Sequence, residues 1–117
     1  MKPSTPKTPE QAAITRAEWL AEGEAILARM APVGRCTLQQ LAGSPGLEFL
    51  SRIFRGELPA IPIGETVGMV PILAERGRVI FQGVPSAGFY NPIGSIHGGY
   101  LATLLDSAVG CAVHTML

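Results

Sequence analysis

Charged side chains are scarce in this chain, 15% of 117 residues, and the nine basic and nine acidic ones cancel. Without a basic field no surface would condense on nucleic-acid phosphates, and without a polybasic run nothing draws the chain to an anionic membrane. Neither nucleic acid nor a membrane surface is therefore an expected partner. Cysteine is nearly lacking too. Cys36 and Cys111 are too few for a disulfide scaffold and have no CxxC spacing, so they read as reduced, buried thiols. No apolar stretch follows the lysine-bearing first nine residues, so a secretory signal is unsupported and the expected compartment is cytoplasmic. No long polar tract occurs beyond the first few positions. With 47% hydrophobic residues, the composition implies one small domain with a single core.

Residues 1–14 are expected to form a mobile tail, because the opening MKPSTPKTP combines three prolines with small polar residues and nothing to bury. Thr15 with Glu18 has the spacing of a capping box, and Ile14 with Trp19 has that of a hydrophobic staple, which predicts a helix from Arg16 to about Ala31-Pro32. Thr37 with Gln40 repeats the signature. Ser44-Pro45 places a cap and a first-turn proline before an amphipathic helix carried by Leu47, Leu50, Ile53 and Phe54 and closed by Gly56. Residues 15–56 thus read as a helical N-terminal extension. Residues 57–65 (ELPAIPIGE) alternate prolines with apolar residues and should run extended. Residues 67–74 and 78–84 then predict a hairpin around Glu75-Arg76-Gly77, where glycine supplies the positive φ of a tight turn. Pro71 removes a ladder donor, so its strand should lie at an edge or carry a bulge. Residues 85–92 predict a loop.

From His97 the sequence reads HGGYLATLLDSAVGCAVHTML, a proline-free apolar run long enough for a helix of about 30 Å. At 100° per residue, Gly99, Thr103, Asp106, Ser107, Gly110 and His114 share one sector, while Leu101, Leu104, Leu105, Ala108, Cys111 and Ala112 take the other side. A small polar stripe of this kind ordinarily faces water. Here it begins at His97-Gly98-Gly99, where two glycines let another group approach backbone N–H donors at the positive end of a long helix, a place suited to a developing oxyanion. Cys111 and His114 stand three apart and could ligate a metal, but His97 is nearly five turns away, which leaves too few ligands for a zinc site. Ser107, adjacent to Asp106, has no base placed by sequence to complete a serine triad.

The order Asn91-Pro92-Ile93-Gly94-Ser95-Ile96-His97-Gly98-Gly99 followed by Leu104-Leu105-Asp106-Ser107-Ala108 resembles the phenylacetate-degradation branch of the hotdog-fold acyl-CoA thioesterases. The likeness runs from about Leu47, through Gly56-Glu57-Leu58-Pro59, to Leu117. It implies an α+β hotdog fold, a long central helix wrapped by a curved antiparallel sheet, and hydrolysis of acyl-CoA thioesters to free acid and CoA. In the roles the resemblance implies, the Gly98 N–H polarises the thioester carbonyl, Asp106 is general base or nucleophile, Asn91 positions the water or the reacting group, and His97 orients the carbonyl site. Gly99 and Ser107 fall to substrate binding. No metal or redox cofactor is implied.

Gly98 and Asp106 are eight residues apart, about 12 Å on one straight helix, too far to meet a single carbonyl. If both act on one thioester, Asp106 must meet Gly98 of a second copy, which predicts antiparallel helices and two composite sites in a homodimer or dimer of dimers. The resemblance implies about five or six strands, and two candidates are present. Residues 57–117 therefore read as the N-terminal portion of a hotdog domain with the later strands missing. A reading of another class makes the chain a non-catalytic fragment acting through a partner subunit. A third makes residues 98–117 a membrane anchor, which Asp106 and His114 oppose, since a mid-span aspartate costs roughly 2.5–3.5 kcal/mol.

Overall fold

The computed structural model describes residues 5–117. Its order is α1 (Pro9–Arg29), α2 (Leu38–Ala42), α3 (Gly46–Phe54), α4 (Pro62–Val67), β1 (Met69–Glu75), β2 (Arg78–Gly83), a 3-10 turn at Ala87–Phe89 and α5 (Gly98–His114). The class is mixed α+β: an antiparallel two-stranded sheet with the long helix α5 beneath it, and α1, longer still, and three short helices around it.

Helix α1 begins seven residues before the expected Arg16. The Thr8 hydroxyl accepts the Gln11 N–H at 3.2 Å, Pro9 sits at the first helical position and Glu10 meets the positive helix end. Thr15 and Glu18 have capping-box spacing but lie mid-helix, because nothing in the preceding Gln11-Ala12-Ala13 breaks a helix. Residues 9–14 are thus helical rather than tail, and residues 1–4 of that expected tail lie outside the described residues. The Thr37–Gln40 box forms in both directions, at 3.1 and 2.8 Å, and starts α2.

At Ser44-Pro45 the expected cap is not made: Pro45 occupies the cap position, and the Ser44 hydroxyl is buried without a partner. Helix α3 nevertheless buries Phe49, Leu50, Ile53 and Phe54. With Leu58 they form the core, against which Phe81, Cys111 and Met30 also pack. The chain leaves α3 through Gly56 at φ +79°. Residues 62–65, expected extended, and Val67, expected to open the first strand, lie in helix α4 instead, because Pro62 stands at the first helical position, where its missing N–H costs nothing.

The hairpin has its turn where expected, with Glu75 opposite Arg78 and Gly77 at φ +72°. Its ladder shifts register between Pro71 and Leu73, a bulge, one of the two ways a sheet accommodates a proline without a donor. Helix α5 packs under β2, and its end clamps the turn: the buried Thr115 hydroxyl accepts the Gly77 N–H at 2.8 Å and donates to the Ala112 carbonyl. At Gly46 the start of α3 meets the end of α5 backbone to backbone; its N–H bonds the Leu117 carbonyl at 3.1 Å, and a Cβ there would overlap the His114 carbonyl. Both cysteines are half-buried free thiols. Among the described residues no helix is long and apolar enough to cross a membrane.

Candidate functional site

The site is built around the start of α5 and the loop that delivers it. Asn91 shapes that loop. Its side-chain oxygen accepts the N–H groups of Ile93 (3.1 Å) and Ser95 (3.2 Å), and its amide donates to the Ser95 hydroxyl at 2.7 Å. Backbone bonds from Asn91 to Ser95 and from Gly94 to Asn91 close the turn, with Gly94 at φ +80°. The side chain is therefore spent on its own turn except for one amide hydrogen. Beyond it, Tyr90 bridges to Ile96, and the His97 N–H donates to the Phe89 carbonyl at 2.8 Å, which anchors the start of the helix.

His97 is the N-cap of α5. Its Nδ1 accepts the Gly99 N–H at 2.8 Å, and because a backbone N–H can only donate, Nδ1 carries the lone pair and the ring proton of the neutral imidazole stands on Nε2. Among the described residues the exposed Nε2–H has no partner. Nor does the Gly98 N–H, one of the donors that a helix leaves unsatisfied at its first turn. A Cβ on Gly98 would meet nothing within 4 Å, whereas one on Gly99 would meet His97 Nδ1 at 2.9 Å. Two free donors thus flank open space at the positive end of the long helix. An open hollow of about 290 Å³ beside His97 is lined by Phe89, Tyr90, His97, Gly99, Tyr100 and Thr103 among others.

Asp106 is exposed on α5, two turns beyond, and forms no ion pair among the described residues. Ser107 is half-buried on the side that packs towards the sheet, so the two neighbours do not share a surface. The greasy and polar sectors expected for α5 are both cut by the packing. Thr103, Leu104, Ser107, Ala108, Cys111 and His114 turn inward, while Leu101, Leu105, Asp106, Val109 and Val113 turn outward. Leu101, Leu105, Val109 and Val113, spaced by four, are between 49% and 64% exposed and form an apolar stripe beside Asp106. Sequence reasoning passed over Val109 and Val113, although their spacing from Leu101 and Leu105 is the available signal.

Burial and the neighbouring Asp106 charge both push the Cys111 thiol up from its ordinary value, burial more strongly. The His114 ring meets Phe49 edge-on at 5.8 Å, and its Nε2 is buried without a partner. Among the described residues no cluster of three or more His, Cys, Asp or Glu could hold a metal ion.

Compared with protein-family models, with curated proteins and with solved structures, the chain matches none.

Proposed function

We propose that residues 57–117 carry the catalytic segment of a hotdog-fold acyl-CoA thioesterase. The observation that carries this reading is the pair of donors, Gly98 N–H and His97 Nε2–H, left unpartnered among the described residues beside space that no described side chain fills. As a thioester carbonyl becomes tetrahedral its oxygen gains charge. Fixed donors at a helix start stabilise that charge, and each is worth roughly a hundredfold to a thousandfold in rate. Gly98 supplies the backbone donor and His97 the second. Gly99 keeps the imidazole in the tautomer that presents Nε2–H, and Asn91 acts by holding the turn that aims both.

The base is Asp106. At about 12 Å along the same helix it serves the Gly98 of a second copy, and the apolar stripe beside it supports such helix pairing. Asp106 takes a proton from water as the water's oxygen attacks the carbonyl carbon. The tetrahedral intermediate then expels the CoA thiolate, which gains a proton, and the free acid remains. No metal or redox cofactor enters these steps. In this reading the protein is a cytoplasmic homodimer or dimer of dimers acting on acyl-CoA.

The test is thiol release from short-chain, medium-chain and phenylacetyl-CoA thioesters by the chain and by Asp106→Asn. Turnover that falls at least a hundredfold in the variant is the expected result. Equal turnover in both would overturn the assignment of Asp106. The exposed stripe also favours a second reading, a non-catalytic subunit that docks on a partner; it predicts no thiol release by the isolated chain and co-purification with a complete thioesterase.

A further inference from the structure

Tyr100 is the first inward side chain of α5 and is only 7% exposed. Its ring stacks on Phe89, with centroids 4.9 Å apart and planes at 25°. Its hydroxyl lies against Gly83 at the end of β2, where a Cβ would overlap that hydroxyl and meet the Leu104 methyls at 3.0 and 3.1 Å. The same two aromatic residues hold the backbone on both sides of His97. The Phe89 carbonyl accepts the His97 N–H at 2.8 Å, and the Tyr100 N–H donates to the His97 carbonyl at 3.0 Å.

That carbonyl belongs to the peptide whose other half is the Gly98 N–H. In a trans peptide the C=O and N–H point in opposite directions. Fixing the His97 carbonyl therefore fixes the line along which Gly98 donates. A helix start held only by its loop would fray within its first turn; here it is tied to the sheet.

We propose that Tyr100 is a positioning residue for the donors at the start of α5, holding their direction through its stack on Phe89 and its seat over Gly83. The kinetic consequence rests on the thioesterase reading of this site, while the structural consequence stands without it. Glycine at position 83 is then required by the approach of Tyr100 and Leu104 rather than by the turn or the strand.

The experiment follows the amide resonances of Gly98 and Gly99 in the ¹⁵N-labelled chain, alongside kcat and KM for thiol release from medium-chain and phenylacetyl-CoA. The variants are Phe89→Leu, Gly83→Ala and Tyr100→Phe. Phe89→Leu, which touches a half-buried ring and leaves the core intact, should move both amides and lower kcat about tenfold or more with KM changed less than twofold. Gly83→Ala should move the same amides, and Tyr100→Phe, which keeps the ring, should leave them in place. Unmoved Gly98 and Gly99 amides in Phe89→Leu would overturn the proposal even if Gly83→Ala fails to fold. Moved amides in a chain that releases no thiol would support the positioning and sink the thioesterase reading alone.

Discussion

Gly98 and Gly99 are neighbours with opposite surroundings, and alanine separates them. At Gly98 the added methyl meets no described atom within 4 Å beyond its own turn of helix, and alanine narrows the unfolded ensemble, so Gly98→Ala should stabilise by about 0.4–1 kcal/mol. The same methyl intrudes where a carbonyl would dock, and displacing the reacting group by an ångström costs about a hundredfold. Denaturant midpoints and thiol release should therefore move in opposite directions. Gly99→Ala presses on the His97 ring and should lose the cap, at a cost of about 1 kcal/mol. A Gly98→Ala chain that keeps full turnover would show that the open space is not where substrate sits.

Cys111 offers a pH test. Burial and Asp106 raise its thiol in the native state, so the native chain keeps a proton that the unfolded chain releases. Stability should then fall as pH rises above the unfolded thiol's value, near 8.5. Urea midpoints at neutral and alkaline pH should diverge more for the unaltered chain than for Cys111→Ala, and equal divergence would remove Cys111 as the cause.

Among the elements, hairpin and helix are joined end to end. The Thr115 hydroxyl ties the end of α5 to the hairpin turn by accepting the Gly77 N–H while donating back to Ala112 of the helix, so β1 and β2 gain support that an isolated two-stranded hairpin lacks. Thr115→Val keeps the shape and removes the acceptor for Gly77. Leaving that N–H unsatisfied should cost about 1–3 kcal/mol, read as a lower thermal midpoint and faster exchange of the Gly77 amide. Elements are also where sequence and structure part. The Thr37–Gln40 box and the Gly77 turn were legible because each is decided within a few residues, whereas Pro71 left its strand an edge or a bulge, and the ladder carries the bulge. The start of α1 and the existence of α4 were not legible, because Thr–Glu spacing and proline each have two readings. Thr15 followed by Glu18 caps a helix only if none has begun, and a proline that breaks a helix interior also starts one.

For the whole molecule, the accessible surface of 7832 Å² compares with about 6,100 Å² for a compact monomer of this mass. The radius of gyration, 15.3 Å, compares with about 13.4 Å for a compact domain of this length. Exposed apolar side chains are spread along the chain, and on the outer face of α5 four of them, Leu101, Leu105, Val109 and Val113, fall in one line; exposed apolar patches mark surfaces meant to be covered. If the covering element is a second copy, as the composite site requires, Leu105→Glu with Val109→Glu should give a monomer by sedimentation and abolish thiol release together. A double variant that sediments as the unaltered chain does would show that the stripe takes no part in self-association.

By itself the sequence determined the mixed α+β class, the hairpin with its Gly77 turn and the long helix opened by His97-Gly98-Gly99, since these follow from turn chemistry, periodicity and capping. It also determined the distance between Gly98 and Asp106, because one helix is a ruler. Only the tertiary structure decided which side of that ruler turns inward. A periodic pattern gives the angles between side chains but not the direction of the core. The placing of Ser107 inside, Asp106 and the Leu101–Val113 stripe outside, and Tyr100 over Gly83 came from packing between residues far apart in the chain.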